Sequence, residues 1–468
     1  MTSAPELPLD WSGAQALGWG ALAAGCTCLA APQAGRAGPA APMQALAARV
    51  GLAAHPAADE ASAVGLAAGA ALAGARALAD LSAGSLAAAG EMLRFCAETG
   101  LPVVILASDD GWNWPEALPV AQLRPAGVRE AFVMAAQAFN LAERHGVPVV
   151  IRAGADLLIR RQPLAQLPWD VAIERGPWAS GPGSWSEARA VPGQAQTVRV
   201  AAALPPGILA RRCAALKAEP ASPPAARAAT LFPVPCVSTL EEREPLPPEA
   251  FLPEGLTEVR CVGAQALRPC ARAWSEQGLQ PKDILVVAGG ACCLPEPSFP
   301  RTYGVRVPPG CALAVAAGAK LANPALTVTA LDDGAAIFSR GLAQLLDSAR
   351  LNSDLLVLFW TRGAGLPVDL LGLARQAGAT FLARLPSNDE ETAAGLIAQA
   401  LAHKGFSLAE CPCPQAGGVA ENPGIIHERT GQPTYEETEP CLAAQGSPVG
   451  MALDLRPRLC ARLAEELG

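Results

Sequence analysis

Short runs of branched apolar residues recur along the chain, each preceded by a longer stretch whose apolar positions have helical spacing. The runs at 101–107 (LPVVILA) and 147–152 (VPVVIR) follow stretches at 85–99 and 128–145, with Gly100 and Gly146 marking the changes. A uniformly apolar run of this length is what a parallel strand covered on both faces requires. Glycine after a last helical residue takes a left-handed conformation without a Cβ clash, so it marks a stop. Helices are also predicted at 14–30, at 42–50 with Pro42 in the first turn, and at 61–79, a stretch of Ala, Gly and Leu. The alternation returns later, with strands at 284–287, 326–331, 355–360 and 380–383 and helices at 313–321, 342–350, 370–377 and 390–403. This pattern predicts an α/β fold of two doubly wound parallel-sheet domains.

Residues 177–256 break the pattern with GPWASGPG, EPASPPAARAA and EPLPPEAFLPEG. They read as a Pro/Gly-rich linker holding one helix at 208–218. The predicted organisation is an α/β domain over 11–176, the linker over 177–256, a second α/β domain over 257–414, and a wrapping tail over 415–468 with a terminal helix at 457–467.

The 468 residues are 51% apolar and 17% charged, which excludes a disordered chain. Lys and Arg total 35 against 43 Asp and Glu, a net charge of −8, and no long basic run interrupts this. That removes the electrostatic case for nucleic acid or an anionic membrane. Much of the apolar content is Ala, and no stretch offers the roughly 18 strongly apolar residues of a membrane span. The first ten residues carry Glu6 and Asp10 without a basic residue, unlike a signal peptide, so a cytoplasmic location is expected. The 14 cysteines are scattered, and most are expected to be buried small hydrophobes. His55, His145, His403 and His427 fall on no position that suggests catalysis and are expected at the surface or in linkers.

The segments GALAAGCTCLAAP (20–32), DEASAVGLAAGAALAGARAL (59–78), AVAAGAKLANPALTV (314–328), GATFLAR (378–384) and HKGFSLAECPCP (403–414) together resemble the 2-oxoacid:ferredoxin oxidoreductases, the thiamine-diphosphate enzymes that include the indolepyruvate and 2-oxoglutarate members. GALAAGCTCLAAP (20–32) and DEASAVGLAAGAALAGARAL (59–78) look like that family's opening helix and strand and its acidic residue before a small-residue helix. AVAAGAKLANPALTV (314–328) is similar to the phrase entering the diphosphate-binding strand. GATFLAR (378–384) and HKGFSLAECPCP (403–414) look like the end of the diphosphate-binding domain. The resemblance implies two thiamine-diphosphate-fold domains, pyrimidine-binding and diphosphate-binding, fused in one chain.

It also implies roles. Glu60 stands where the family places the carboxylate that activates the aminopyrimidine; on the residues alone it reads rather as an acidic residue favoured in a first helical turn. Asp332, Asp333 and Gly334 stand where the family has Gly-Asp-Gly, which implies diphosphate and Mg²⁺ binding. The family's second metal ligand, an Asn, is replaced: Thr361-Arg362 occupies its place, and Arg cannot ligate a cation. Because the strand at 355–360 should lie beside the strand at 326–331, Arg362 is expected to meet Asp332 or Asp333 and to neutralise either a diphosphate or those carboxylates. Cys261, Cys292 and Cys413 match three of the four thiolates of the family's [4Fe–4S] cluster. Ala264 stands at the fourth place, with Cys270, Cys293 and Cys411 as substitutes. The Thr-rich substrate loop reads PQAGR at 32–36, and the expected His is missing from CVGAQAL at 261–267.

Two functions follow as expectations. The first is a catalytic subunit that decarboxylates a 2-oxo acid oxidatively, passes electrons through iron–sulfur centres to ferredoxin and forms an acyl-CoA, working with a gamma-type subunit. The second is a degenerate paralogue, a pseudoenzyme with a structural or regulatory role.

Overall fold

The computed structural model describes residues 9–32, 53–81, 86–108, 120–164, 245–253, 262–290, 300–361, 366, 368–412 and 423–429. The chain divides into two compact units, whose described residues lie before 165 and after 244. The sequence readings at 42–50, 208–218 and 457–467 lie outside the described residues.

The first unit opens with β1 (Leu9–Ser12), α1 (Gly13–Ala23), β2 (Cys26–Pro32), β3 (Ala53–Ala57), α2 (Glu60–Leu72), β4 (Arg76–Leu81) and α3 (Gly90–Thr99). It continues with β5 (Val104–Ser108), β6 (Ala121–Leu123), α4 (Val128–His145), β7 (Val149–Ala153), α5 (Ala155–Ile159) and β8 (Arg161–Leu164). Its main sheet is parallel, in the order β3-β2-β4-β5-β7-β6. β1 and β8 form a separate antiparallel pair.

Two predicted helices are corrected. The helix expected at 14–30 ends at Ala23, and the helix expected at 61–79 ends at Leu72; strands β2 and β4 begin within the remainder. Alanine suits a helix and also a strand buried on both faces, so apolar spacing alone did not divide these stretches. The dividing signals were Gly25 (φ 80°) and Gly74 (φ 88°), both in left-handed turns. Gly100 and Gly146 stop their helices as expected, with φ of 75° and 59°. Ser12 and Gln15 form a capping box that starts α1. Gly20 lets α1 lie against α4, because a Cβ there would collide with the Phe132 carbonyl. Trp11, Trp19, Phe132 and Phe139 fill the core between these helices and the sheet.

The second unit contains α6 (Val262–Glu276), β9 (Ile284–Gly289), β10 (Tyr303–Val307), α7 (Ala312–Ala322) and β11 (Thr327–Asp333). A helical turn at Gly334–Ala336 and a π-helical turn at Ile337–Gly341 lead into α8 (Leu342–Arg350). β12 (Leu355–Thr361), α9 (Leu370–Ala377), β13 (Phe381–Arg384), α10 (Glu390–Ala402), β14 (Phe406–Pro412) and β15 (Gly424–Glu428) follow. The sheet order is β10-β9-β11-β12-β14-β13-β15, parallel except for β15. Without β15, this repeats the order of the first unit's main sheet. On one face α6 and α10 bury Leu267, Trp274 and Ile397 against Val286, Leu358 and Phe381. Among the described residues no helix is long and apolar enough to cross a membrane.

Candidate functional site

In a parallel sheet the carboxyl ends of the strands all open on one edge, where open α/β folds bind ligands. In the second unit that edge carries Gly289 ending β9 and Gly290 after it, Asp332 and Asp333 ending β11, and Thr361 ending β12. β11 and β12 are neighbours, as the sequence predicts, and their register sets Asp332 opposite Phe359 and Asp333 opposite Trp360.

Asp332 is 2% exposed. Its Oδ2 accepts the N–H of Gly310 at 2.9 Å and of Ala312 at 3.4 Å, and its Oδ1 accepts the N–H of Asp333 at 2.9 Å. Burial raises its pKa to about 7, against the pull of these N–H donors and with a smaller push from Asp333. Asp333 is half-buried and caps the turn that follows, its Oδ1 accepting the Ala335 N–H at 2.9 Å. Gly334 is tightly enclosed: a Cβ would lie 2.9 Å from Leu366 Cδ1 and 3.1 Å from the Trp360 carbonyl oxygen.

The turn that meets Asp332 is a β-turn over Pro308, Pro309, Gly310 and Cys311, closed by the Cys311 N–H to the Pro308 carbonyl at 3.1 Å. Pro at the second position and a left-handed Gly310 (φ 81°) at the third are the type II combination. A Cβ on Gly341 would collide with the Gly310 carbonyl, so two backbones touch where the π-helical turn ends. Further along the same edge, Thr361 Oγ1 donates to Glu410 Oε1 at 3.0 Å and Arg384 Nε donates to Glu410 Oε2 at 2.8 Å. Sequence reasoning missed this trio. Its signal was legible: Glu410 and Arg384 are charges at the carboxyl ends of otherwise apolar strands.

Glu60 belongs to the first unit. It is half-buried in the first turn of α2, directly after Asp59, whose side chain accepts the Ser62 N–H at 2.7 Å and caps the helix. Arg362, Cys261, Cys292, Cys293 and Cys413 lie outside the described residues. Cys270 and Cys411 are buried in one core cluster. Burial pushes both thiols up, Cys411 to about 12, which disfavours the thiolate that a metal needs. His55, expected at the surface, is instead 2% exposed on β3, where its Nδ1–H reaches the Pro56 carbonyl at 2.6 Å. His403 is half-buried, with its Nε2 at 2.8 Å from Thr380 Oγ1.

The resemblance implies Mg²⁺ held by Asp and Asn oxygens. Among the described residues no three His, Cys, Asp or Glu side chains converge as a metal site. Both Asp332 oxygens accept backbone N–H groups, one Asp333 oxygen caps a turn, and Arg follows Thr361 in place of Asn. The residues described here do not make up the implied donor set.

No family model matches the chain. A 2-oxoacid:ferredoxin oxidoreductase subunit beta from Saccharolobus solfataricus is 31% identical over 173 residues, covering 31% of this chain and 57% of that protein. Another from Sulfolobus sp is 30% identical over 169 residues, covering 30% and 55%. The chain thus spans little more than half the length of these curated relatives. A solved chain from Mycobacterium smegmatis, described as a thiamin diphosphate-dependent enzyme, matches with a TM-score of 0.54 at 14% identity, over 86% of this chain and 99% of that one; this likeness is one of fold. The resemblance read from the sequence stands: the chain is similar to the 2-oxoacid:ferredoxin oxidoreductase β subunits and has the α/β fold of a thiamine-diphosphate-dependent enzyme.

Proposed function

We propose that the chain is a subunit of a 2-oxoacid:ferredoxin oxidoreductase-type assembly in which it serves a structural or regulatory role, without Mg²⁺–thiamine-diphosphate catalysis of its own. The observation that carries this is the use made of Asp332. A carboxylate at the mouth of the candidate site is spent on three backbone N–H groups, and a guanidinium follows Thr361 where the family pattern has an amide ligand. Each unit has a full sheet with a buried apolar core of its own. In this reading the gamma-type subunit and ferredoxin are partners of the assembly.

A second reading is favoured by the identity of about 30% to β subunits and by a carboxylate, Glu60, at the start of α2. In it the chain is the catalytic subunit: it binds thiamine diphosphate, decarboxylates a 2-oxo acid, and delivers electrons to iron–sulfur acceptors and an acyl group to CoA. Calorimetry of the full chain with thiamine diphosphate, with and without Mg²⁺, separates the two. The first reading expects no saturable Mg²⁺-dependent heat from the unaltered chain, and a gain for Arg362→Asn. Tight Mg²⁺-dependent binding by the unaltered chain overturns it.

A further inference from the structure

The strand order of the second unit creates one place where successive connections part. β9 leads to β10 on one side of it, and β11 leads to β12 on the other. The two strands are neighbours, so a crevice opens between their carboxyl ends, the position at which such sheets take anionic ligands. Here a side chain of the protein lies in it. A Cβ on Gly289, at the end of β9, would collide with the Asp332 carboxylate, so that group rests directly on bare backbone. Its Oδ2 accepts the Gly310 and Ala312 N–H groups. These lead into α7, an 11-residue helix that begins at Ala312. N–H groups at the start of a helix are the donors an external phosphate uses. Each is already paired with a buried anion.

We propose that Asp332 is a built-in anion: its carboxylate occupies the crevice between β9 and β11 and the N–H groups of the Gly310–Ala312 turn, and thereby excludes an external diphosphate from them. This deepens the non-catalytic reading, on which it rests, by naming what stands in the ligand's place. It accounts for two features together: the burial of a carboxylate with no cationic partner among the described residues, and a glycine at 289. A diphosphate brought to the same donors would meet a negative charge already there.

The test uses inorganic pyrophosphate without metal, titrated into the full chain and into its Asp332→Gly and Asp332→Asn variants. Removing the charge is expected to raise pyrophosphate affinity by about tenfold or more, on the order of 1.4 kcal/mol. The gain should be larger for Gly, which also vacates the space. The unaltered chain should show slow hydrogen exchange at the Gly310 and Ala312 amides, and Asp332→Asn should speed it. Pyrophosphate binding equal in the unaltered chain and Asp332→Asn overturns the proposal, and does so whether or not thiamine diphosphate binds with Mg²⁺. If neither variant folds, the unaltered chain decides: fast exchange at both amides refutes the internal bond, and slow exchange upholds it.

Discussion

Arg76 opens β4 and is 1% exposed. Its Nε and one terminal nitrogen donate to the two oxygens of Glu143 at 2.9 and 3.0 Å, and that terminal nitrogen also reaches Asn140 Oδ1 at 3.0 Å. The other terminal nitrogen donates at 2.6 Å to the Ala24 carbonyl, at the C-terminus of α1. The guanidinium also lies 5.8 Å from the Phe139 ring centroid. One side chain thus joins β4, α1 and α4 in the core of the first unit. Glu143→Gln keeps the shape and removes the charge. Breaking one side of a buried pair costs about 3–5 kcal/mol, because the remaining ion stays desolvated. One amide oxygen still accepts a bond, so the cost should fall near 3 kcal/mol, the lower end of that range. Replacing both partners with apolar residues, Arg76→Met with Glu143→Leu, removes the stranded charge. It still leaves the Ala24 and Asn140 acceptors short of a donor, at about 1–3 kcal/mol each where no water reaches them. The double variant should therefore lose less than the sum of its singles. A chain of two units need not unfold in one step, so native-state hydrogen exchange at amides of α1, β4 and α4 is the assay. A loss of protection under about 1 kcal/mol in Glu143→Gln would show that water or a rearranged partner compensates Arg76, and the reasoning would fail.

Two further outcomes test the second unit. Gly405 has φ 129° and a Cβ there would collide with the Asn352 side chain, which accepts from Thr380 Oγ1 at 2.6 Å and the Phe406 N–H at 2.8 Å; Gly405→Ala should cost about 1–3 kcal/mol through backbone strain alone, seen as a lower urea midpoint, and an unchanged midpoint contradicts this. Burial lowers the pKa of His403 below its ordinary 6.5, with Glu428 and Asp354 opposing, and Lys404 is its sequence neighbour. The folded state therefore binds fewer protons, so this contribution to stability is full above pH 6.5 and is lost as pH falls through the folded pKa. Urea midpoints between pH 8 and pH 5 should fall less in His403→Gln than in the unaltered chain, and an equal or steeper fall in the variant refutes the assignment.

How far the sequence revealed this molecule depends on how many roles each residue type can fill. α4 was legible to the residue, Val128–His145, because alternating apolar and charged positions define one buried face. Leu342–Arg350 and Leu370–Ala377 were legible for the same reason. β2 and β4 were not legible from local pattern, since Cys-Thr-Cys-Leu-Ala-Ala and Arg-Ala-Leu-Ala-Asp-Leu carry neither β-branched runs nor alternation, although the resemblance marked a strand within 20–32. Their strand state is imposed by neighbours in the sheet, a tertiary effect outweighing local propensity. At the candidate site, Asp332 and Asp333 were legible as a pair at a strand end, but their division of labour was not. Strand alternation sends adjacent side chains to opposite faces. Asp332 is thereby turned toward Gly289 and the start of α7, while Asp333 caps the next turn. Neither consequence is available without the sheet.

That division bears on what the site can become. The turn at Gly310 is held from two directions: Asp332 bonds its N–H, and Gly341 presses on its carbonyl. A ligand displacing the carboxylate must supply an acceptor to Gly310 and Ala312, or leave two N–H groups of a buried turn unpaired at about 1–3 kcal/mol each. A phosphate oxygen meets that requirement, and so does the carboxylate already present. The carboxylate has the advantage of being tethered, which removes the translational and rotational cost of bringing in a separate ligand. Its disadvantage is burial, which raises its pKa to about 7 and so weakens its hold as an anion. The occupant of the crevice is set by the balance of these two effects. A single residue on β11 thus decides whether an intact sheet presents its anion-binding donors to solution or keeps them for itself.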